Sequence, residues 1–312
     1  MSKPLISVVS PVYMSAGIVD ELVKRISAAV EKITPDYEII LVEDGSRDDS
    51  WNKIAEQPAK NPKVIGVKLS RNFGQHYAMS AGLAQSKGDW VMLIDCDLQD
   101  PPEAIEAMYK KALEGYQVVL AARKEVKESF LKRTFSKVFY AVFNYFTDTD
   151  MESTSSSMKL IARQVVDNFN SLQERHRFFG GMLNWLGYKT AFIEIEHSAR
   201  HSGKSSYNFK RRMNMATEAI ISFSIKPLRL AIRLGFLLMF LSGSYLLGLV
   251  IRNLIYKTTI IGWSSLIATI IFSTGIMVIL MGIIGLYVGK IFEEVKRRPN
   301  YIVEKITDSN NK

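Results

Sequence analysis

Short runs of aliphatic and β-branched residues alternate with longer amphipathic stretches through the first 122 residues, a pattern that predicts β-α-β units and a mainly parallel sheet. Strands are predicted over residues 5–12, 37–43, 63–69, 90–95 and 117–121, and helices over 18–33, 50–57, 75–85 and 102–114. Pro102 suits a first helical turn, and Asp100 just before it suits a cap. In an open sheet of this kind ligands gather beyond the carboxyl ends of the strands, where helix N-termini also converge. Polar residues at those ends therefore carry the functional information.

Beyond residue 122 the pattern changes twice. Residues 130–146 interleave Lys132, Arg133 and Lys137 with seven aromatic side chains, which fits a helix in a membrane interface and equally an amphipathic helix packed on the sheet. Residues 165–172 read as helix, 189–195 as strand, and 199–207 as a polar loop around Gly203. From Leu234 to Ile251 no charge occurs, and as a helix this stretch spans about 27 Å, close to the hydrocarbon thickness of a bilayer. Residues 258–289 form a second uncharged stretch. Buried helices of a soluble core rarely run so far without a charge, so two membrane crossings are predicted. Lys226, Arg229 and Arg233 precede the first and Lys290, Lys296, Arg297 and Arg298 follow the second, against Arg252 and Lys257 between them. That bias predicts a cytoplasmic domain at 1–228, a hairpin at 229–290 and a cytoplasmic tail at 291–312. Gly282, Gly285 and Gly289 would permit close helix contact, between the spans or between subunits.

Composition adds three points. The net charge of +9 suggests an anionic partner, which could be nucleic acid, lipid headgroups or phosphorylated small molecules. Cys96 is the single cysteine, so no intrachain disulfide can form and a reducing compartment suits the chain. The N-terminus lacks the basic start, apolar stretch and cleavage site of a signal peptide.

Four polar segments fall at successive strand ends: Pro11-Val12-Tyr13, Glu43-Asp44-Gly45-Ser46, Ser70 to His76 (SRNFGQH), and Asp95 to Glu103 (DCDLQDPPE). In this order and spacing they resemble the family 2 glycosyltransferases of GT-A fold, in particular the group that acts on polyprenyl phosphates. The resemblance extends over nearly the whole chain, including the two apolar spans and the Arg297-Arg298-Pro299-Asn300-Tyr301 segment. It implies an α/β, Rossmann-like catalytic domain followed by a transmembrane hairpin. It also implies inverting transfer of a hexose from a nucleotide-sugar, a UDP-sugar foremost, to undecaprenyl phosphate for modifying cell-envelope glycans such as O-antigen. No nucleic acid partner is implied, and the resemblance points to a homo-oligomer, a tetramer.

The site residues follow from the same resemblance. A diphosphate leaving group develops charge as the glycosidic bond breaks, and a divalent ion (Mg2+ or Mn2+) held by carboxylates neutralises it. Asp97 is the expected metal ligand with Asp95 beside it. Pro11, Tyr13, Glu43, Asp44, Asn72, Gly74, Gln75 and Gln99 are expected on the donor side, the 72–76 segment capping a helix that faces the diphosphate. Arg123, Lys132, Arg133, Arg175 and Lys204 are expected to grip the acceptor phosphate, and Arg200 to act in catalysis from a loop that closes over the donor.

Three departures from the family pattern stand out. Met14-Ser15 replaces an Asn-Glu pair, the 202–207 loop has Lys204 where relatives place an acid, and Ser153 to Ser157 stands where many relatives carry a catalytic-base aspartate. A hydroxyl acceptor needs a general base, whereas a phosphate monoester with a second pKa near 6 is already an anionic nucleophile. The serine run therefore favours a lipid phosphate acceptor. A membrane-anchored nucleotidyltransferase and an inactive binding protein of the same fold are the alternatives; a processive synthase is disfavoured by having only two spans and no Gln-x-x-Arg-Trp segment.

Overall fold

A computed structural model describes residues 5–123, 144–146, 155–172, 174, 175, 177, 179–195, 224–256 and 262–307. The chain divides into two compact units. The first comprises Met1–Asn144, Thr149–Asn208 and Arg298–Lys312, the second Tyr145–Asp148 and Phe209–Arg297.

In the first unit, β1 (Ile6–Val12), β2 (Tyr37–Glu43), β3 (Val64–Leu69) and β4 (Trp90–Leu93) alternate with α1 (Val19–Val30), α2 (Ser50–Lys60) and α3 (Gln75–Gln85). A helix α4 (Ile105–Ala112) leads to β5 (Val118–Arg123), and β6 (Ser155–Ala162), α5 (Arg163–Ser171), α6 (Phe179–Trp185) and β7 (Thr190–Ile195) complete this run. The strands and helices predicted in the first 122 residues are all present, with ends shifted by up to three residues, and a 3-10 turn, Pro102–Ala104, occupies the predicted start of α4. That turn has no side-chain cap: Asp100 is buried and bonded elsewhere, so the predicted cap is not formed.

The sheet has the order β7-β5-β6-β4-β1-β2-β3-β8, where β8 (Val303–Thr307) comes from beyond the second long apolar helix. Strands β1 to β5 and β7 run one way; β6 and β8 run against them. The carboxyl ends of β1, β2, β3 and β4 and the start of β6 thus lie along one edge. On one face Val8, Ile39, Leu41 and Met92 pack with α1 and α4, all fully buried. On the other face α3 lies against β1 and β2, so close that a Cβ on Gly82 would come within 2.2 Å of Val9 Cγ1. Near-continuous burial of these strands on both faces is what a parallel sheet clad by helices requires.

The second unit contains α7 (Lys226–Tyr256) and α8 (Trp263–Val295). Both are long and apolar enough to cross a membrane, with the most apolar windows at Lys226–Tyr245 and Thr269–Val295. Their aliphatic and aromatic side chains, such as Phe236, Leu254 and Ile271, are exposed, an arrangement water would penalise and a bilayer would not. Within this unit the Tyr287 hydroxyl donates to the carbonyl of Ser224 at 2.6 Å, tying α8 to the segment that enters α7.

Candidate active site

The site grows from the end of β4. Ile94 still donates to Val9 O at 3.1 Å, so the strand pairing carries up to Asp95. The chain then turns through Leu98, a non-glycine residue at φ 55° whose side chain is buried, and the Gln99 amide donates back to Asp97 Oδ1 at 3.2 Å. A branched side chain in the left-handed region is costly and persists only where its surroundings fix it, as loops at functional sites often do. At the far end of this loop Glu103 accepts two bonds from the Arg25 guanidinium of α1, at 2.7 and 3.0 Å. The acidic loop is held at both ends.

Asp95 is the hub of the polar cluster. Its Oδ1 accepts from Gln75 Nε2 at 2.6 Å. Burial pushes the Asp95 carboxyl above the ordinary range, opposed by the nearby Ser157 hydroxyl. Ser157 Oγ donates to Asp100 Oδ2 at 3.2 Å. The register explains the meeting: Leu93 of β4 lies opposite Lys159 of β6, so two residues on Asp95 comes level with Ser157 on the same face. Lys159 interrupts an apolar row, Ile40, Val9, Leu93, Lys159, Leu120 and Phe192, that crosses six strands. Its Nζ donates to the carbonyl of Ser157 at 3.0 Å. His76 stacks on Phe179 with ring centroids 5.7 Å apart, and its Nδ1 is buried with no hydrogen-bond partner among the described residues. Burial first, then the charge of Lys159, lowers the His76 pKa to about 4.

The donor-side candidates form one scaffold. Both oxygens of Asp44 are taken by backbone amides, Phe73 at 2.7 Å and Gly74 at 2.9 Å, while Asn72 Nδ2 donates to Asp44 O at 3.0 Å. Burial raises the Asp44 pKa against these bonds. Glu43, also buried, accepts from the Ser46 amide. Gly45 sits at φ 64°, and a Cβ there would lie 2.2 Å from the Asn72 amide, so only glycine allows the two loops to touch. Helix α3 begins with Gly74 as its N-cap and no side-chain cap bond; Asn72 serves the loop contact instead of the expected cap. Pro11 is buried within β1, whereas Tyr13 and Met14 are about half exposed just beyond it. Met14 lies at φ 51° and donates its amide to Ser46 Oγ at 3.0 Å, so the Met14-Ser15 departure still closes against the β2 loop.

The acceptor-side candidates are only partly within the described residues. Arg123 is the last residue of β5, paired with Ile195. Lys132, Arg133, Arg200, Lys204 and most of the 130–146 segment lie outside the described residues. The backbone of Arg175 is pinned by the Tyr77 hydroxyl of α3 at 2.9 Å, and Asn300 of the chain end donates to Glu174 O at 3.4 Å. Three residues to which the sequence pattern assigned no site role, Asp100, Lys159 and Asn300, are part of these contacts, as is His76, expected only within the helix-capping segment. The signal for Lys159 was present as a cation at an inward strand position, but the serine-rich start of β6 does not read as a strand.

Among the described residues no group of three or more His, Cys, Asp or Glu side chains forms a ready cage for a metal ion. A Mg2+-type site differs from such a cage: one or two carboxylates hold the ion and substrate phosphates complete its shell. Asp95 and Asp97 fit that second type.

The sequence profile of glycosyl transferase family 2 matches residues 7–170, which hold all these strand-end segments. This chain belongs to that family. The SfII prophage-derived bactoprenol glucosyl transferase of Shigella flexneri is 34% identical over 96% of this chain and 97% of its own length. The undecaprenyl-phosphate 4-deoxy-4-formamido-L-arabinose transferase of Aeromonas hydrophila is 31% identical over 98% of this chain and 94% of its own. The crystal structure of glucosyl-3-phosphoglycerate synthase from Mycobacterium tuberculosis with UDP superposes with a TM-score of 0.51 at 19% identity, covering 70% of this chain and 79% of that one, which shows a shared fold. This family 2 enzyme is thus a glycosyltransferase whose mainly parallel sheet is that of its GT-A neighbours.

Proposed function

We propose that the enzyme transfers a hexose from a nucleotide-sugar, a UDP-sugar foremost, to undecaprenyl phosphate in one in-line displacement with inversion. The observation that carries this reading is the Asp95 cluster, in which the residue facing Asp95 across the sheet is Ser157, whose hydroxyl donates to the Asp100 carboxylate. A serine held this way is no general base. The acceptor must bring its own nucleophilic oxygen, and a phosphate monoester does so at neutral pH. Relatives named for bactoprenol and undecaprenyl-phosphate transfer cover nearly the whole chain, which supports the same acceptor.

In this reading Asp97 and Asp95 hold Mg2+ or Mn2+ together with the donor diphosphate, and the ion supplies charge neutralisation of the leaving group. Gln75 fixes the Asp95 carboxylate. Tyr13, Pro11, Glu43, Asp44, Asn72, Gly74 and Gln99 shape the nucleotide side, Asp44 by ordering the 72–74 backbone through its two amide bonds. Arg123, Lys132, Arg133, Arg175 and Lys204 bind the acceptor phosphate, and Arg200 assists departure of the diphosphate.

The reading extends to the membrane. Residues before α7 and β8 after α8 belong to one sheet, which supports an even number of crossings between them and so a multi-pass hairpin with both outer ends on one side. Basic residues at those ends support a cytoplasmic site, residues 1–228 and 291–312 lying on that side of the 229–290 hairpin. A Cβ on Gly282, Gly285 or Gly289 would meet nothing within 4 Å, which leaves that stripe open to a second copy in a homo-oligomer, a tetramer in our reading.

Purified protein incubated with Mg2+, undecaprenyl phosphate and a panel of labelled nucleotide-sugars tests the proposal. The expected product is a lipid whose mass is undecaprenyl phosphate plus one hexose residue, with the nucleoside diphosphate released and Asp97→Ala inactive. Release of pyrophosphate with a nucleotide on the lipid would replace this reading by nucleotidyl transfer.

A further inference from the structure

Lys159 is the one charged residue in its row across the sheet, with Leu93 and Leu120 as its strand neighbours. Placing an ammonium group there costs desolvation energy, and apolar residues would fill the position at less expense. Burial pushes the Lys159 pKa down, while the charges of Asp95 and Asp100 push it back up. Its Nζ is anchored to the carbonyl of Ser157, the residue that faces Asp95 across the sheet and donates its hydroxyl to Asp100. The position is thus fixed, and it lies on the acidic cluster from the β6 side.

A resident cation acts with opposite sign on two forms of the metal. A free divalent ion approaching Asp95 and Asp97 is repelled by Lys159, whereas a divalent ion already chelated by a nucleoside diphosphate arrives as a net anion and is attracted. We propose that Lys159 keeps the carboxylate pair closed to the free ion and selects the metal–nucleotide complex, so that metal and donor enter the site together. The inference rests on the reading that Asp95 and Asp97 share the ion with the donor diphosphate. It gives Lys159 a positioning and selecting role; no bond to Lys159 is made or broken. A purely packing lysine would leave the dependence of metal affinity on nucleotide unchanged.

The test measures Mn2+ binding to the full-length, detergent-solubilised protein by the loss of the free-ion electron paramagnetic resonance signal, with and without UDP. In the wild type UDP should tighten Mn2+ binding strongly. In Lys159→Gln free Mn2+ should bind about tenfold tighter than in the wild type, as expected for removal of a nearby unit charge, and the gain from UDP should shrink by a similar factor. Lys159→Arg should keep the wild-type pattern, and Lys159→Met, which suits the apolar row, provides the same comparison where the glutamine variant does not fold. If the neutral variants bind free Mn2+ no tighter than the wild type while UDP still tightens binding in both, the role of Lys159 is overturned and the metal–donor reading stands. If UDP leaves Mn2+ binding to the wild type unchanged, the metal–donor reading falls and this inference with it.

Discussion

At the scale of single residues, the site is a polar island at the edge of an apolar sheet, and its ionisation follows from burial. His76 illustrates this. It lies between Phe179 and the lysine charge, and burial holds its pKa at about 4, well below the ordinary value of 6.5. As pH falls below about 6.5 the unfolded chain takes up a proton that the folded chain refuses, so stability is lost progressively until about pH 4. That loss is about 1.4 kcal/mol per pH unit within the window. His76→Gln, which stays neutral, should flatten the pH dependence of denaturation between these limits; equal slopes for wild type and variant would show that His76 is protonated in the native state. The carboxylates of this site were legible in the sequence because Asp-x-Asp follows an apolar strand and stands with three further polar strand ends, a combination that ordinary turns do not produce. Lys159 and His76 were not, since a lysine in a serine-rich segment and a histidine in a helix have ordinary surface roles that only the register of β4 with β6 and the stack on Phe179 exclude.

At the scale of elements, the alternation of strands and helices was readable through β5 because each strand is buried on both faces and each helix on one, so hydrophobic period and length agree. Strand β8 was not readable. Its sequence, Val303–Thr307, holds the adjacent charges Glu304 and Lys305 between Val303 and Ile306, and nothing local says that it returns to β3 across more than 230 residues. Lys68 and Glu304 pair across this edge at 2.9 Å, and Gly66 faces Thr307. A Cβ on Gly66 would lie 2.6 Å from Thr307 Oγ1 and 2.8 Å from Ile54 Cγ2. Gly66→Ala should therefore destabilise the domain by about 1–3 kcal/mol, the usual cost of overpacking. Removing the hydroxyl with Thr307→Ala in that background should return part of the loss in a denaturation midpoint, and no recovery would mean that Ile54 alone carries the clash. The same strand closes the edge that β3 would otherwise expose for unwanted pairing.

At the scale of the whole molecule, one chain leaves a sheet, runs through two long apolar helices and returns to the same sheet. The uncharged stretches disclosed the two helices, while their full lengths, which run past charged residues at Lys226 and Lys290, follow from continuity of the helical backbone. With Tyr256→Cys in a Cys96→Ser background, a membrane-impermeant maleimide should label intact cells, and a cysteine in place of Ser171 should remain unlabelled until the membrane is opened. The reverse pattern would put the site on the wrong side for a cytoplasmic nucleotide-sugar. Acceptor chemistry is the central claim, because a site with Ser157 beside Asp95 and Asp100 suits an acceptor that needs no base. The direct measurement is the rate of sugar transfer to undecaprenyl phosphate and to undecaprenol, followed on either side of about pH 6, where the phosphate gains its second charge. The rate with the phosphate should rise through that pH and level off while the alcohol gives no product; efficient glycosylation of undecaprenol would contradict the account.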